Sequence, residues 1–106
     1  MMYGLSDYTL QTMNTIFKKY EGIQKVILYG SRAKGSYRRG SDIDLSLYTD
    51  DTFTYGDLSN IGSEFDDSDM PYFVDVSIYE KLNNPDLKAH IDHVGKPLYI
   101  KAGWDC

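Results

Sequence analysis

The strongest restriction on the fold is a short glycine-rich stretch with a strand-like segment on either side of it. Val26-Ile27-Leu28-Tyr29 is an aliphatic run suited to a buried strand, and it stops at Gly30-Ser31. Twelve positions after Ser31, Ile43 to Tyr48 alternates apolar and polar positions, the period of a strand with one covered face. Between them Ser31-Arg32-Ala33-Lys34 has room for one helical turn, since Gly35 and Gly40 disfavour anything longer.

Helical periods surround this centre. Ser6-Asp7 is a suitable helix start, and Leu10, Met13, Ile16, Phe17 and Tyr20 recur on one face before Gly22. Leu58, Ile61 and Phe65 predict a weakly amphipathic helix. Pro71 opens an alternating strand, Tyr72 to Tyr79. Asp86 to Val94 reads as a helix stopped by Gly95, and Leu98-Tyr99-Ile100 as a last strand. The order α, β, turn, β, α, β, α, β predicts an α/β (α+β) fold with helices on a mixed sheet. A chain of 106 residues is expected to form a single domain, 1–106, with little surface left for a deep pocket of its own.

Net charge is −5, which argues against attraction to nucleic acid or anionic membrane. Charge is nonetheless segregated. Arg32, Lys34, Arg38 and Arg39 form a basic stretch, whereas Asp50, Asp51, Asp57, Glu64, Asp66, Asp67 and Asp69 form an acidic one. The only cysteine, Cys106, excludes an intrachain disulfide, and no run of 18 apolar residues spans a membrane, so a cytoplasmic location is expected.

Three acids carry the chemistry. Asp42 and Asp44 are two apart on a strand, so both leave the same face while Ile43 and Leu45 point to the other. Asp75 interrupts Phe73, Val74, Val76 and Ile78, where a carboxylate is expensive unless paired. Were the strands neighbours, carboxylates about 4 Å apart would repel by roughly 4 kcal/mol at an effective dielectric near 20. Such a cluster attracts a hard cation, and Mg²⁺ characteristically binds one or two carboxylates together with phosphate oxygens. Gly30-Ser31, at the end of a strand and the start of a helical turn, is a place for that phosphate.

Gly30-Ser31-Arg32-Ala33-Lys34-Gly35 followed by Ser41-Asp42-Ile43-Asp44-Leu45 resembles the signature of the DNA polymerase beta superfamily of nucleotidyltransferases. The resemblance is greatest to the minimal nucleotidyltransferase domains that act as antitoxins to HEPN-domain ribonuclease toxins, and it runs from the first helix to Gly95-x-Pro97-Leu98-Tyr99. It implies a nucleotidyltransferase fold in which Gly30, Ser31, Arg32 and Ser41 hold the nucleotide. It also implies that Asp42, Asp44 and Asp75 bind two Mg²⁺ ions and are catalytic. The implied reaction transfers AMP from ATP to an acceptor hydroxyl, in this branch a tyrosine of the HEPN toxin. Because no residues remain for an acceptor domain, a protein partner is expected to supply that wall.

Other patterns fail. The P-loop lysine is missing after the second glycine, and a calcium loop beginning at Asp42 would place Leu47 and Phe53 where glycine and glutamate belong. His90 and His93, three apart on the last helix, are expected at the surface or in packing. The alternatives to an adenylyltransferase antitoxin are a non-catalytic binding module of the same fold and an enzyme modifying a small molecule with help from a second subunit.

Overall fold

The computed structural model describes residues 2–101; Cys106 lies outside them. Helix α1 (Asp7–Lys18) starts where expected, with the Ser6 hydroxyl accepting from the Thr9 N–H. It stops at Lys18, with Lys19 as its C-cap, short of the Gly22 end read from sequence. Gly22 is instead a point of close approach, since a Cβ there would come within 2.7 Å of the Phe53 Cβ. Strand β1 (Ile23–Tyr29) begins at once, three residues before the aliphatic run that announced it.

After β1 come the single turn α2 (Ser31–Lys34), strand β2 (Ile43–Thr49) and helix α3 (Tyr55–Asp67). Thr54 and Asp57 close a capping box at the start of α3. Strand β3 (Val74–Ile78) is shorter than the Tyr72–Tyr79 alternation suggested, because Tyr79–Lys81 tightens into a 3₁₀ turn. Helix α4 (Pro85–Val94), capped by Asn84, leads into β4 (Lys96–Ile100).

The sheet is four-stranded and mixed, in the order β3-β2-β1-β4. β1 pairs antiparallel with β2 and β4, and β2 pairs parallel with β3. Alternation then sorts side chains between two faces. Val26, Leu28, Ile43, Leu45 and Leu47 pack with Met13, Phe17, Ile61 and Phe65 of α1 and α3 into the main core. Each such fully buried side chain contributes about 1.5–3 kcal/mol of apolar transfer. On the other face Ile27 and Tyr29 pack with Ile91 of α4. Helix α4 covers only part of that face, and the acids of β2 and β3 lie on it. Among the described residues no helix is long and apolar enough to cross a membrane.

Candidate active site

Register builds the site. Tyr29 pairs with Asp44, and Asp44 with Asp75, so the three form one row across β1, β2 and β3. Directly paired residues project to the same face of a sheet, which places Asp75 beside Asp44. The next row is Ile27, Ser46 and Ser77. Asp42, two residues before Asp44 at the mouth of β2, is exposed.

One expectation for Asp75 needs correction. The apolar run around it predicts a buried acid, yet it is exposed, because β3 is an edge strand whose neighbour Phe73 is itself 65 % exposed. What singles Asp75 out is its place in the row. Among the described residues no three His, Cys, Asp or Glu side chains stand close enough to form a preassembled metal site. The in-register pair is Asp44 and Asp75, with Asp42 as a flanking charge. Burial raises the Asp44 carboxyl above the usual carboxylate range, and Asp75 and Asp42 raise it further. An oxygen-only donor set with such a need for positive charge fits a hard divalent cation.

Gly30 adjoins this row and is required twice over. Its φ is +76°, in the region that favours glycine, and a Cβ built on it would collide with the Asp44 carboxylate. The turn therefore touches the acid directly. Ser31 follows as the first residue of α2, whose opening N–H groups have no partner within the helix.

Two residues expected to hold nucleotide are engaged elsewhere. Arg32 is 2 % exposed. Its Nε and Nη2 donate to the Ser41 carbonyl at 3.0 and 2.8 Å, and Nη1 donates to the Tyr3 carbonyl at 3.0 Å. The rings of Tyr37 and Tyr72 lie 5.3 and 4.7 Å from its guanidinium carbon. Arg32 is thus an internal brace tying the 35–41 loop to the N-terminal segment. Ser41 is part of the same brace, its hydroxyl accepting from the Arg38 N–H at 2.8 Å. The exposed cations of the stretch are Lys34, Arg38 and Arg39.

Four neighbours of the acids carried no motif. Tyr29, 8 % exposed, reaches across β2 so that its phenol lies beside the Ser77 hydroxyl on β3. Burial pushes that phenol up, the Ser77 hydrogen bond pulls it down, and Asp75 and Asp44 push it up again. Ser46 lies in the row between Ile27 and Ser77, fully buried with its hydroxyl unpartnered, and its small size leaves room for the crossing ring. His90 arrives from α4: its Nε2 accepts from the Gly30 N–H at 3.2 Å. Its ring meets Tyr29 edge-on, with centroids 6.1 Å apart. The position of Tyr29 immediately before Gly30 was a usable signal; for His90 and Ser77 the chain offers none.

Comparison with known proteins finds relatives of the chain. The family described as Polymerase beta, Nucleotidyltransferase matches residues 11–102. A Methanocaldococcus jannaschii protein named "Putative protein adenylyltransferase" is 46 % identical over 44 residues, which span 41 % of this chain and 44 % of that protein. The fold is similar to a chain in the crystal structure of a toxin-antitoxin with AMP-PNP: TM-score 0.62, 19 % identity, covering 88 % of this chain and 74 % of that one. It is also similar to a chain of the complex between tri-AMPylated Shewanella oneidensis HEPN toxin and MNT antitoxin: TM-score 0.54, 20 % identity, covering 86 % and 71 %. At these identities the solved structures speak for the fold alone.

Proposed function

The chain belongs to the polymerase beta nucleotidyltransferase family, and from that premise we propose that it transfers AMP from ATP to a hydroxyl of a partner protein, as an antitoxin to a HEPN-type toxin. The observation that carries the reading is the Tyr29–Asp44–Asp75 row, set against a glycine that tolerates no side chain next to Asp44. The choice of AMP and of a protein acceptor is supported by the adenylyltransferase name of one relative and by the AMPylated toxin that accompanies one structural neighbour.

In this reading the Ser31 N–H and hydroxyl hold the triphosphate at the Gly30-Ser31 turn, and the exposed Lys34, Arg38 and Arg39 lend a positive field. Asp42 and Asp44, with Asp75, would hold Mg²⁺, which would neutralise phosphate charge and lower the pKa of the attacking hydroxyl. Asp75 orients that hydroxyl and takes its proton. The acceptor oxygen bonds to the α-phosphorus as the bond to the bridging oxygen breaks, and pyrophosphate leaves. Because Asp75 is on an exposed edge, an acceptor as large as a protein tyrosine can approach it without a deep cleft.

The test combines the protein, Mg²⁺, α-labelled ATP and the product of the neighbouring gene, with the Asp42→Asn/Asp44→Asn double variant alongside. Label should appear on the neighbour and vanish in the variant. Protection against toxicity that persists in the variant would point to a binding module. Label on a small metabolite would point to a different acceptor.

A further inference from the structure

We propose that His90 is a positioning residue, holding the Gly30-Ser31 turn in the shape that receives the triphosphate. The inference rests on the transferase reading above and names a group that the motif does not contain. Its basis is the hydrogen bond from the Gly30 N–H to His90 Nε2, a contact between positions sixty residues apart. To accept there, Nε2 must keep its lone pair, so the ring proton is on Nδ1.

The turn needs such support. Gly30 has a φ of +76°, a region where glycine moves freely, and α2 beyond it is only four residues long. Within α2 the Gly30 carbonyl accepts from the Lys34 N–H at 3.1 Å, but the Gly30 N–H has no partner in the helix and is met by His90 alone among the described residues. His90, in contrast, sits on a ten-residue helix with both ends anchored. Asn84 accepts from the Asp86 and Leu87 N–H groups at one end, and Gly95 packs against Ile27 of β1 at the other. Ile91 beside it is buried, and the Tyr29 ring flanks the imidazole. The anchored helix thereby brings a fixed acceptor to the glycine N–H. His93, exposed on the same helix, has no such contact among those described.

The experiment compares the ¹⁵N-labelled full chain with His90→Gln, which keeps an acceptor at the Nε2 position, and His90→Leu, which fills the space without one. His90→Ala replaces the leucine variant if that one melts early, and His93→Ala is the control. Removing the acceptor should move the Gly30 amide resonance and speed its exchange. It should weaken binding of AMP-PNP with Mg²⁺ and raise the KM for ATP by about five- to tenfold, the worth of roughly one hydrogen bond, with kcat within about twofold. His90→Gln should restore both the resonance and the affinity. The proposal is overturned if the leucine and alanine variants leave the Gly30 amide and the affinity unchanged. It is equally overturned if folded His90→Gln is as impaired as they are, since ring packing would then be the whole role. Failure of the unaltered chain to bind AMP-PNP would sink the transferase reading along with it.

Discussion

At the scale of single residues, Asp44 sets function against stability. Burial and the charges of Asp75 and Asp42 raise its carboxyl above the ordinary range. A carboxyl whose folded pKa is raised adds stability only while protonated, at pH below its unfolded value, and that stability is gone once pH rises through the folded one. At neutral pH, without divalent ions, the ionised group is therefore a burden. Asp44→Asn should raise the melting temperature in EDTA by roughly 2–4 °C while abolishing nucleotidyl transfer; a lower melting temperature would show that the carboxylate is satisfied by the fold. Ser46 tests the same wall differently. Its hydroxyl is buried and unpartnered, so Ser46→Ala should be neutral or stabilise by up to about 1 kcal/mol in urea unfolding. Ser46→Val should instead displace the Tyr29 ring and reduce activity.

At the scale of elements, the contact between α4 and β1 sets the position of everything that reaches the acids from the helix. Gly95 is the point of closest approach. Its φ of −59° suits any residue, so backbone freedom is not the issue. A Cβ would come within 2.5 Å of Ile27 Cγ2 and collide with the Ile91 carbonyl oxygen. Gly95→Ala should push α4 off the sheet, destabilise by about 1–3 kcal/mol and disturb the Gly30 amide through His90. Chemical denaturation and the amide spectrum check the two effects separately. On the other side of the molecule, the Arg32 brace explains how a loop with glycines at 35 and 40 keeps one path between the Gly-Ser turn and the Asp pair.

For the molecule as a whole, tyrosine is abundant, with ten in 106 residues, and several stand in acidic surroundings. Tyr20 is pushed up to about 12 by burial and by its hydrogen bond to Glu64. Tyr48 is pushed up to about 12 by burial and by Tyr79, with which it stacks at 4.5 Å between centroids. The folded phenols hold their protons more tightly than the unfolded chain does. Their contribution is intact below about pH 10, the ordinary phenol value, and is lost as pH rises to about 12. Stability measured in denaturant should fall across that window. An absorbance titration should show Tyr20, Tyr48 and the buried Tyr29 lagging behind exposed phenols, and a single ordinary transition for all tyrosines would contradict the packing described.

The chain's local patterns determined the helix and strand order, the Gly30-Ser31 turn and the Asp42-x-Asp44 pair, because each depends on neighbours within a few positions: a period, a cap, an alternation. The same patterns misjudged where α1 and β3 end, since Lys18 and Ile78 stop for reasons of capping and turn closure that apolar spacing does not record. Nor could they tell that Asp75 is exposed or that the Arg32 guanidinium is buried among carbonyls. Burial depends on which strand is at the edge, and the use of a guanidinium depends on which carbonyls surround it. Strand order and register then put Tyr29, Asp44 and Asp75 in one row and brought His90 to Gly30. Contacts between residues fifteen to sixty positions apart leave no periodic trace in a sequence, so only the tertiary structure could decide them.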